Sequence, residues 1–373
     1  VAGRVLWRTA RGSVGRPLVN PRGTPHDSGV VVGVGIDPAA IGEPIAAIDP
    51  ALARSVHEEL LEALTIHGRV VFTSVEDRNG FVDQIGSLPS NVGKLWEALI
   101  SSGRIKLEVL DPPVNPGLAQ SLDVQEIAEH LGRRVDLVLL EREHAELLGV
   151  PPDAFSVEAP GGSPELGRLS TATRTKALSR ARELVDAPIR AGDNREDIWR
   201  DRLAPFVAVS KSVVIYDRYA GVHAARRFVY KLRSRDGLTW LMSKIAQYPG
   251  RRVRLITAVM DEDAGRRMDA EVIADGLQEL RWSLGEADVM LDVILIPDGA
   301  KRFGHDRHIR FGERVALALG PGLQTFSTQH ADETVTVARL PIADARDRER
   351  GSERNQLRPP PEGWITNRRS AQS

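Results

Sequence analysis

Short apolar runs alternate with segments of helical period along the first half of the chain. Residues 30–36, VVVGVGI, end at Asp37-Pro38, which is typical of a buried strand followed by a turn. Residues 50–64 place leucine and valine on one face at helical spacing and predict a helix. Further strands are predicted at residues 69–73, 105–110 and 135–140, with helices at 91–100 and 124–131. Strands that alternate with helices predict a parallel sheet covered by helices.

The second half shows the same alternation, with longer strands and a long amphipathic helix. Residues 264–284 carry methionine, isoleucine and leucine at helical spacing, which is typical of a core-facing helix rather than a cofactor site. Two short strands are predicted just before Gly320-Pro321-Gly322, and three longer ones precede them. The five predicted strands are 212–217, 252–259, 288–296, 309–311 and 315–319. This order predicts an α/β sandwich built on one mixed sheet.

The length and the local composition predict two domains. A chain of 373 residues exceeds what a single hydrophobic core usually supports. Residues 151–167 are dense in proline, glycine and serine, which is typical of a linker, and the charged C-terminal residues indicate a disordered or surface-lying extension. The predicted parts are an irregular segment (1–29), an α/β domain of unknown role (30–150), a linker (151–170), a second α/β domain (171–342) and a polar tail (343–373).

Composition and charge exclude several classes of function. A net charge of −1 excludes a polyanion-binding surface over the whole protein, so a phosphate or nucleic-acid site must be a local basic patch. The absence of cysteine excludes disulfides, thiolate nucleophiles and cysteine-ligated metals. No apolar run has the length of a membrane span, and the N-terminal residues lack the apolar core of a signal peptide. These features predict a cytoplasmic protein without a transmembrane segment, and no cofactor is predicted.

Aspartates follow several of the predicted strands in the first half. Asp37 and Asp111 come directly after apolar runs, and Asp77 follows the second strand at a greater distance. Ligands of parallel sheets bind beyond the carboxyl ends of the strands, where such carboxylates are suited to hold a divalent metal in a nuclease-like site. Alternatively, these aspartates form turns or cap helices, which is the usual role of aspartate before proline. They are therefore weak metal candidates.

The strongest chemical signal lies in the late segment FGHDRHIRF, residues 303–311. His305 and Arg307 are two residues apart on a predicted extended segment, so their side chains point to the same face. An imidazole and a guanidinium fork on one face suit the binding of a single phosphate group. The alternative is a surface loop whose charges are merely solvated.

Three motifs of the second half, in order, resemble those of the phospholipase-D-like superfamily. They are VVIYDRY at residues 213–219, HDRHI at 305–309 and GPGLQTF at 320–326. The segment is most similar to the C-terminal domain of microtubule-interacting-and-trafficking (MIT) proteins and its bacterial relatives. The resemblance covers residues 206–340 and implies a phospholipase-D-like α/β sandwich for the second domain. The N-terminal half resembles no family in this way.

The resemblance also implies roles for individual residues. Catalytic members use a nucleophilic histidine, a lysine two residues on, a downstream aspartate and a Gly-Ser-x-Asn turn. His305 takes the nucleophile position, Arg307 stands where lysine belongs, and Gly312 occupies the expected aspartate position. The turn GPGL lacks the serine and the asparagine, and the MIT-related branch, which shows similar departures, resembles a phosphate-binding module. Arg218, Arg310, Gly320 and Gly322 are the implied phosphate-binding residues.

A two-histidine reaction needs a second imidazole to protonate the leaving oxygen. His308 or His223 could supply it, or a second subunit could, so a homodimer is predicted. A local basic groove is predicted, and the alternative is that nearby acids balance these arginines. Its members would be Lys301, Arg302, Arg307, Arg310, Arg314, Arg251, Arg252 and Arg254.

The predicted function is that of a phosphodiesterase, nuclease or nucleic-acid-binding effector in a bacterial, anti-phage system. Nucleic acid or a phosphorylated ligand, a second copy of the chain and other proteins of a multi-component system are the predicted partners. The alternative is a non-catalytic phosphate-binding or assembly module that docks on a protein or membrane partner.

Overall fold

The computed structural model describes residues 6–7, 29–42, 50–114, 123–132, 134–162, 164–232, 236–260, 262–263, 265–285, 287–297 and 307–357. The chain divides into two compact units. One is Pro17–Val185, and the other combines Val1–Arg16 with Asp186–Ser373. Both are mixed α/β structures, as predicted. Among the described residues, no helix combines the length and apolarity that crossing a membrane requires.

The first strand of the chain, β1 (Leu6–Trp7), belongs to the C-terminal unit, and the next six form the sheet of the N-terminal unit. These are β2 (Val32–Ile36), β3 (Gly68–Phe72), β4 (Leu107–Val109), β5 (Leu137–Leu140), β6 (Ser156–Glu158) and β7 (Glu165–Arg168). Their spatial order is β4-β3-β2-β5-β7-β6, and every pair is parallel except β6 with β7. The predicted α/β architecture is confirmed, and the antiparallel β6 makes the sheet mixed rather than wholly parallel.

The helices of this unit are amphipathic or locally capped. They are α1 (Pro50–His67), α2 (Val75–Ser87), α3 (Ser90–Ser101), α4 (Val124–Leu131), α5 (Arg142–Leu147) and α6 (Lys176–Asp186), with short 3-10 helices at Pro38–Ile41 and Leu169–Arg174. Ser74 and Asp123 accept backbone N–H groups at the starts of α2 and α4, which satisfies donors that a helix leaves unpaired. Phe72, Phe81 and Trp96 are fully buried and lie in one core cluster with β2.

The linker predicted at residues 151–170 is wrong. Strands β6 and β7 form an antiparallel pair there, and β7 adds to the parallel sheet beside β5. The glycines that suggested a linker instead make the turn between these strands, because Gly161 and Gly162 have φ angles of 89° and 87°. The carboxylate of Glu165 then accepts the backbone N–H groups of Lys176 and Ala177, each at 2.8 Å, at the start of α6. The two units divide after Val185.

The C-terminal unit contains one mixed sheet, as predicted. Its strands are β1, β8 (Ser212–Tyr216), β9 (Arg251–Val259), β12 (Val289–Pro297), β13 (His308–Phe311), β14 (Val315–Leu319) and β15 (Val337–Leu340). Their order is β1-β12-β9-β8-β13-β14-β15, in which β12, β9 and β8 are parallel and the other pairs antiparallel. The strands β10 (Glu262–Asp263) and β11 (Arg266–Arg267) form a separate antiparallel pair. The segment 1–29 is predicted to be irregular, but this is partly wrong because Leu6 and Trp7 form β1, which pairs with β12.

The helices of this unit are α7 (Arg195–Ile198), α8 (Ala204–Val209), α9 (Ala220–Phe228), α10 (Gly237–Ile245), α11 (Ala270–Ser283) and α12 (Ile342–Glu353), with a π-helical turn at Trp199–Leu203 and a 3-10 helix at Gly322–Phe326. Two glycines let α9 pack closely. A Cβ atom on Gly276 of α11 would lie 2.6 Å from Cα of Ala225, and one on Gly221 would lie 2.7 Å from Ile273. This packing fixes the start of α9 directly after β8.

The predicted polar tail, residues 343–373, is partly wrong. Helix α12 lies within it and contacts β12, β13 and β14, and its Glu349 and Ser352 are buried. The backbone N–H of Leu357 donates to the carbonyl of Leu295 at 3.0 Å. The charged composition of the segment led to the prediction of a tail. These charges instead attach α12 to the sheet, through ionic rather than apolar contacts. Residues 358–373 lie outside the described residues.

Candidate functional site

Strand pairing brings three of the motif segments to one edge of the C-terminal sheet. Tyr216, the last residue of β8, pairs with His308, the first residue of β13. Asp217 follows Tyr216 and Arg307 precedes His308, so both lie at the same end of these two neighbouring strands. The backbone N–H of Leu319 donates to the carbonyl of Arg307 at 2.8 Å, which places the Gly320-Pro321-Gly322 turn beside them. We call the residues gathered here the edge cluster. They are Asp217, Arg218, Tyr219, His223, Arg307, Gly320, Pro321, Gly322 and Gln324.

Asp217 fastens two loops of the edge cluster together. Its buried carboxylate accepts the backbone N–H of Tyr219 at 2.9 Å and that of Leu323 at 2.7 Å. Gly322 lies directly against it with a φ of 70°, and a side chain there would overlap both Asp217 and the aliphatic part of Arg307. Only glycine meets both requirements. The sequence did not identify Asp217 as a site residue, because its partner amide lies 106 residues away.

Two guanidinium groups lie against the ring of Tyr219. The Cζ atom of Arg307 lies 5.0 Å from the ring centroid, and that of Arg218 lies 5.6 Å from it. A guanidinium over an aromatic face is attracted by the ring quadrupole. Arg307 also donates to the carbonyl of Pro321, and its Nε is buried without a hydrogen-bond partner. Within the described part of the chain, Arg307 forms no ion pair with a carboxylate.

His223 supplies the imidazole of the edge cluster. It lies on the first turn of α9, where its backbone N–H donates to the carbonyl of Tyr219 at 2.9 Å. The side-chain amide of Gln324 donates to its Nε2 at 3.2 Å, and its ring centroid is 6.4 Å from that of Tyr219. Of the two imidazoles considered for proton transfer, the structure therefore brings His223 and not His308 to this edge.

His308 and Arg310 lie in the interior, which makes both predicted roles wrong. The ring of His308 is 1% exposed, stacks on Tyr216 with centroids 4.8 Å apart, and places Nε2 3.2 Å from Glu349. Arg310 donates to both oxygens of Glu349, at 2.8 and 2.6 Å. Burial favours a raised pKa for Glu349, but the hydrogen bonds from Arg310 and His308 outweigh it and hold the pKa below its ordinary value. Neither side chain is available to a phosphate.

Among the described residues, the arginines that suggested a basic groove do not form one. Arg251 donates to the carbonyls of Val207 and Ala208 at the end of α8, and burial lowers its pKa. Arg254 pairs with Asp292 at 2.9 Å and with Glu353 at 2.6 Å. Arg314 is buried, and only Arg252 lies exposed on β9. Lys301 and Arg302 lie outside the described residues, as do His305 and Asp306.

The two glycines predicted to bind phosphate differ in surroundings. Gly320 is exposed, with no atom within 4 Å of a Cβ built on it, so the turn is open on that side. Gly322 is buried against Asp217. Gly312, at the expected aspartate position, has a φ of 56° in the turn between β13 and β14, at the end of β13 away from Arg307. The carboxylate of the edge cluster comes instead from Asp217.

The N-terminal aspartates occupy separate structural positions. Asp37 is buried, and its carboxylate caps the 3-10 helix Pro38–Ile41 by accepting a hydrogen bond from the backbone N–H of Ala39. The same carboxylate accepts a hydrogen bond from Nδ1 of His144 at 3.2 Å. Asp77 accepts the hydroxyl of Thr73 at the start of α2, while Asp111 is exposed beyond β4. Among the described residues, no group of three or more histidine, aspartate or glutamate side chains is suited to hold a metal. The capping alternative therefore describes Asp37, whereas Asp77 lies in the first turn of a helix that Ser74 caps.

Comparisons with family models and with curated proteins find no match for this chain. The likeness to the phospholipase-D-like superfamily stays a prediction carried by the three motifs.

Proposed function

We propose that the C-terminal unit is a phosphodiester-handling module of phospholipase-D-like type, which binds a phosphate group at the edge cluster. The convergence of Arg307 and Arg218 on the ring of Tyr219 carries this proposal. Arg307 forms no ion pair with a carboxylate within the described part of the chain, so an anion beside it offsets a positive charge that its neighbours there leave unbalanced. Nucleic acid, the polymer richest in phosphodiesters, is the substrate class to test first, in keeping with an effector of a bacterial anti-phage system.

The chemistry of the surrounding groups supports a phosphate in particular. A guanidinium presents a planar fork of donors that matches two phosphate oxygens. The ring of Tyr219 and the carbonyl of Pro321 orient Arg307, so less rotamer entropy is lost on binding. Asp217 holds the two turns beside Arg307 in place through hydrogen bonds to backbone N–H groups. These turns are Asp217-Arg218-Tyr219 and Gly320-Pro321-Gly322.

In the catalytic form of the proposal, His305 attacks phosphorus, as the resemblance implies. Arg307 neutralises the charge that develops on the phosphoryl oxygens. His223 protonates the leaving oxygen as its bond to phosphorus breaks, and water then attacks phosphorus and releases His305. A second subunit is then not needed to supply an imidazole.

One observation favours the non-catalytic alternative, a phosphate-binding module. Both carboxylate oxygens of Asp217 are occupied by backbone N–H groups, so the acid of the edge cluster holds loops rather than orienting an imidazole. A site without an oriented base binds a phosphate more readily than it cleaves one.

Hydrolysis assays separate these two forms. We expect bis-p-nitrophenyl phosphate, labelled DNA or labelled RNA to be cleaved without metal, and cleavage to be lost in His305→Ala. Cleavage that survives His305→Ala but stops with EDTA would refute the catalytic form. Binding of labelled DNA or RNA without cleavage by the wild type would support the alternative.

Binding assays test the site itself. Arg307→Ala is expected to weaken binding of labelled DNA or RNA at least about tenfold and to reduce the salt dependence of binding by about one phosphate contact. Arg200→Ala is the matched control, because Arg200 is exposed and pairs with Asp197 and Asp201 on the π-helical turn and α7. Equal effects of the two substitutions would overturn the proposed site.

A further inference from the structure

Helix α12 is attached to the sheet with little apolar contact. Ala345 is its one fully buried apolar side chain, and Glu349, Gly351 and Ser352 are its other buried residues. Helix α11, by contrast, buries Ile273, Leu277 and Leu280. Because the free energy of apolar burial scales with the area removed from water, α12 receives only a small share of it. Polar contacts must therefore hold α12 in place.

Those contacts are ionic and lie on one stripe of the helix. Glu349 accepts from Arg310 and lies 3.2 Å from Nε2 of His308. Four residues further on, Glu353 accepts from Arg254 at 2.6 Å. The hydroxyl of Ser352 lies 3.0 Å from that of Tyr216. Arg346, three residues before Glu349 and on the same stripe, pairs with Glu313.

Each arginine that holds the helix also has an acceptor on the sheet itself. Arg254 donates to Asp292 of β12 at 2.9 Å. Arg310 lies 3.3 Å from Glu313 and donates to the carbonyl of Gly312, both in the turn after β13. If α12 leaves, both guanidinium groups keep a partner and gain water. The penalty of an orphaned buried charge, which makes most buried ion pairs hard to separate, is thereby avoided on the sheet side.

We infer that α12 is an ionically latched strap, which opens as a unit while the sheet beneath it stays folded. The face that it uncovers carries Tyr216, His308 and Arg310, together with the apolar cluster Val214, Ile256, Ile294 and Ile296. These side chains share one face of the sheet, because side chains alternate between the two faces along each strand. Tyr216 of that face contacts the helix directly, and Asp292 is linked to it through Arg254. The strap also lies over the strands that position the edge cluster, since Tyr216 precedes Asp217 and His308 follows Arg307. Opening therefore uncovers the strands that position the edge cluster without unfolding them.

Hydrogen–deuterium exchange of the full chain tests this inference. Peptides that cover α12 should exchange well before peptides that cover β9, because local opening exposes only the helix. Glu349→Gln removes the charge that Arg310 and His308 hold, and it should speed exchange in α12 by about a hundredfold while β9 stays protected. Asp347→Asn is the matched control, since that side chain is 78% exposed and lies 3.8 Å from Arg350. It should leave exchange in α12 unchanged.

Two outcomes would overturn the inference. In the first, α12 and β9 exchange together in the wild type. In the second, Glu349→Gln deprotects both, or prevents folding altogether, which would make α12 an integral part of the domain. Arg346→Gln removes only the more exposed contact with Glu313 and provides a milder check, with a several-fold acceleration expected in α12 alone.

Discussion

Acidification should destabilise the N-terminal unit through one buried imidazole, His57. Its side chain is 0% exposed, and the indole N–H of Trp96 donates to its Nδ1 at 3.2 Å. This bond requires an unprotonated Nδ1, and Nε2 is buried without a hydrogen-bond partner. Burial accordingly lowers the pKa of His57 from 6.5 to about 4.

The sign and size of the effect follow from linkage. Because the folded-state pKa of His57 lies below the unfolded value, the stability that its neutral ring contributes is complete above pH 6.5. That stability is lost as the pH falls towards 4. At pH 5 the unfolded chain binds the proton almost fully and the folded chain hardly at all. The loss in the free energy of unfolding is then about 2 kcal/mol, rising to about 3 kcal/mol at lower pH.

Urea unfolding of the full chain at pH 7.5, 6 and 5 measures this loss, with hydrogen exchange in α1 and α3 reporting on the N-terminal unit. His57→Gln is the comparison, because glutamine can accept from Trp96 and does not titrate. The difference in unfolding free energy between wild type and His57→Gln should shrink by about 2 kcal/mol from pH 7.5 to pH 5. A constant difference, or a His57 ring signal that titrates near pH 6.5 in the folded protein, would refute the reasoning.

Three further predictions concern Glu165, Gly276 and Asp217. Glu165→Ala leaves two N–H groups at the start of α6 unpaired and should cost about 1–3 kcal/mol in urea unfolding, which Glu165→Gln should partly restore. Gly276→Ala forces a methyl group against the backbone of Ala225 and should lower the free energy of unfolding by about 1–3 kcal/mol. Its control is Gly86→Ala, which lies in open space on α2 and should raise the free energy of unfolding by up to about 1 kcal/mol. Equal effects of the two substitutions would contradict the packing argument. Asp217→Ala should abolish the binding of labelled DNA or RNA, because it loosens the loops that carry Tyr219 and Leu323. Unchanged binding would show that Asp217 does not hold the site.

Local patterning determined most of the secondary structure. The β-branched run that ends at Asp37 forms β2, and the periodic residues 50–64 lie within α1, close to the predicted bounds. Period and burial are linked because each element must turn a fixed set of side chains towards a core, and that set is written in consecutive residues. The alternation of strand and helix likewise predicted a parallel sheet, since such connections need a crossover helix.

Composition misled where pairing with a distant segment decided the structure. Proline, glycine and serine in residues 151–167 report a tendency to turn, and the turns exist. Whether the residues between those turns form a linker or a strand depended on the open edge of β5, which only the folded sheet presents. The tail was misread for a similar reason, because the charges of α12 find partners on β9 and β13.

The sequence by itself determined a strand at residues 309–311, and aspartate, arginine and glycine at the ends of the neighbouring segments. Only the tertiary structure decided which face is covered, and α12 covers the face of His308 and Arg310. It also joined Asp217 to Leu323 across 106 residues and His223 to Gln324 across 101. Side-chain periodicity is a short-range property of the backbone, whereas a site is made by contacts between segments, and these depend on the register and packing of the whole sheet.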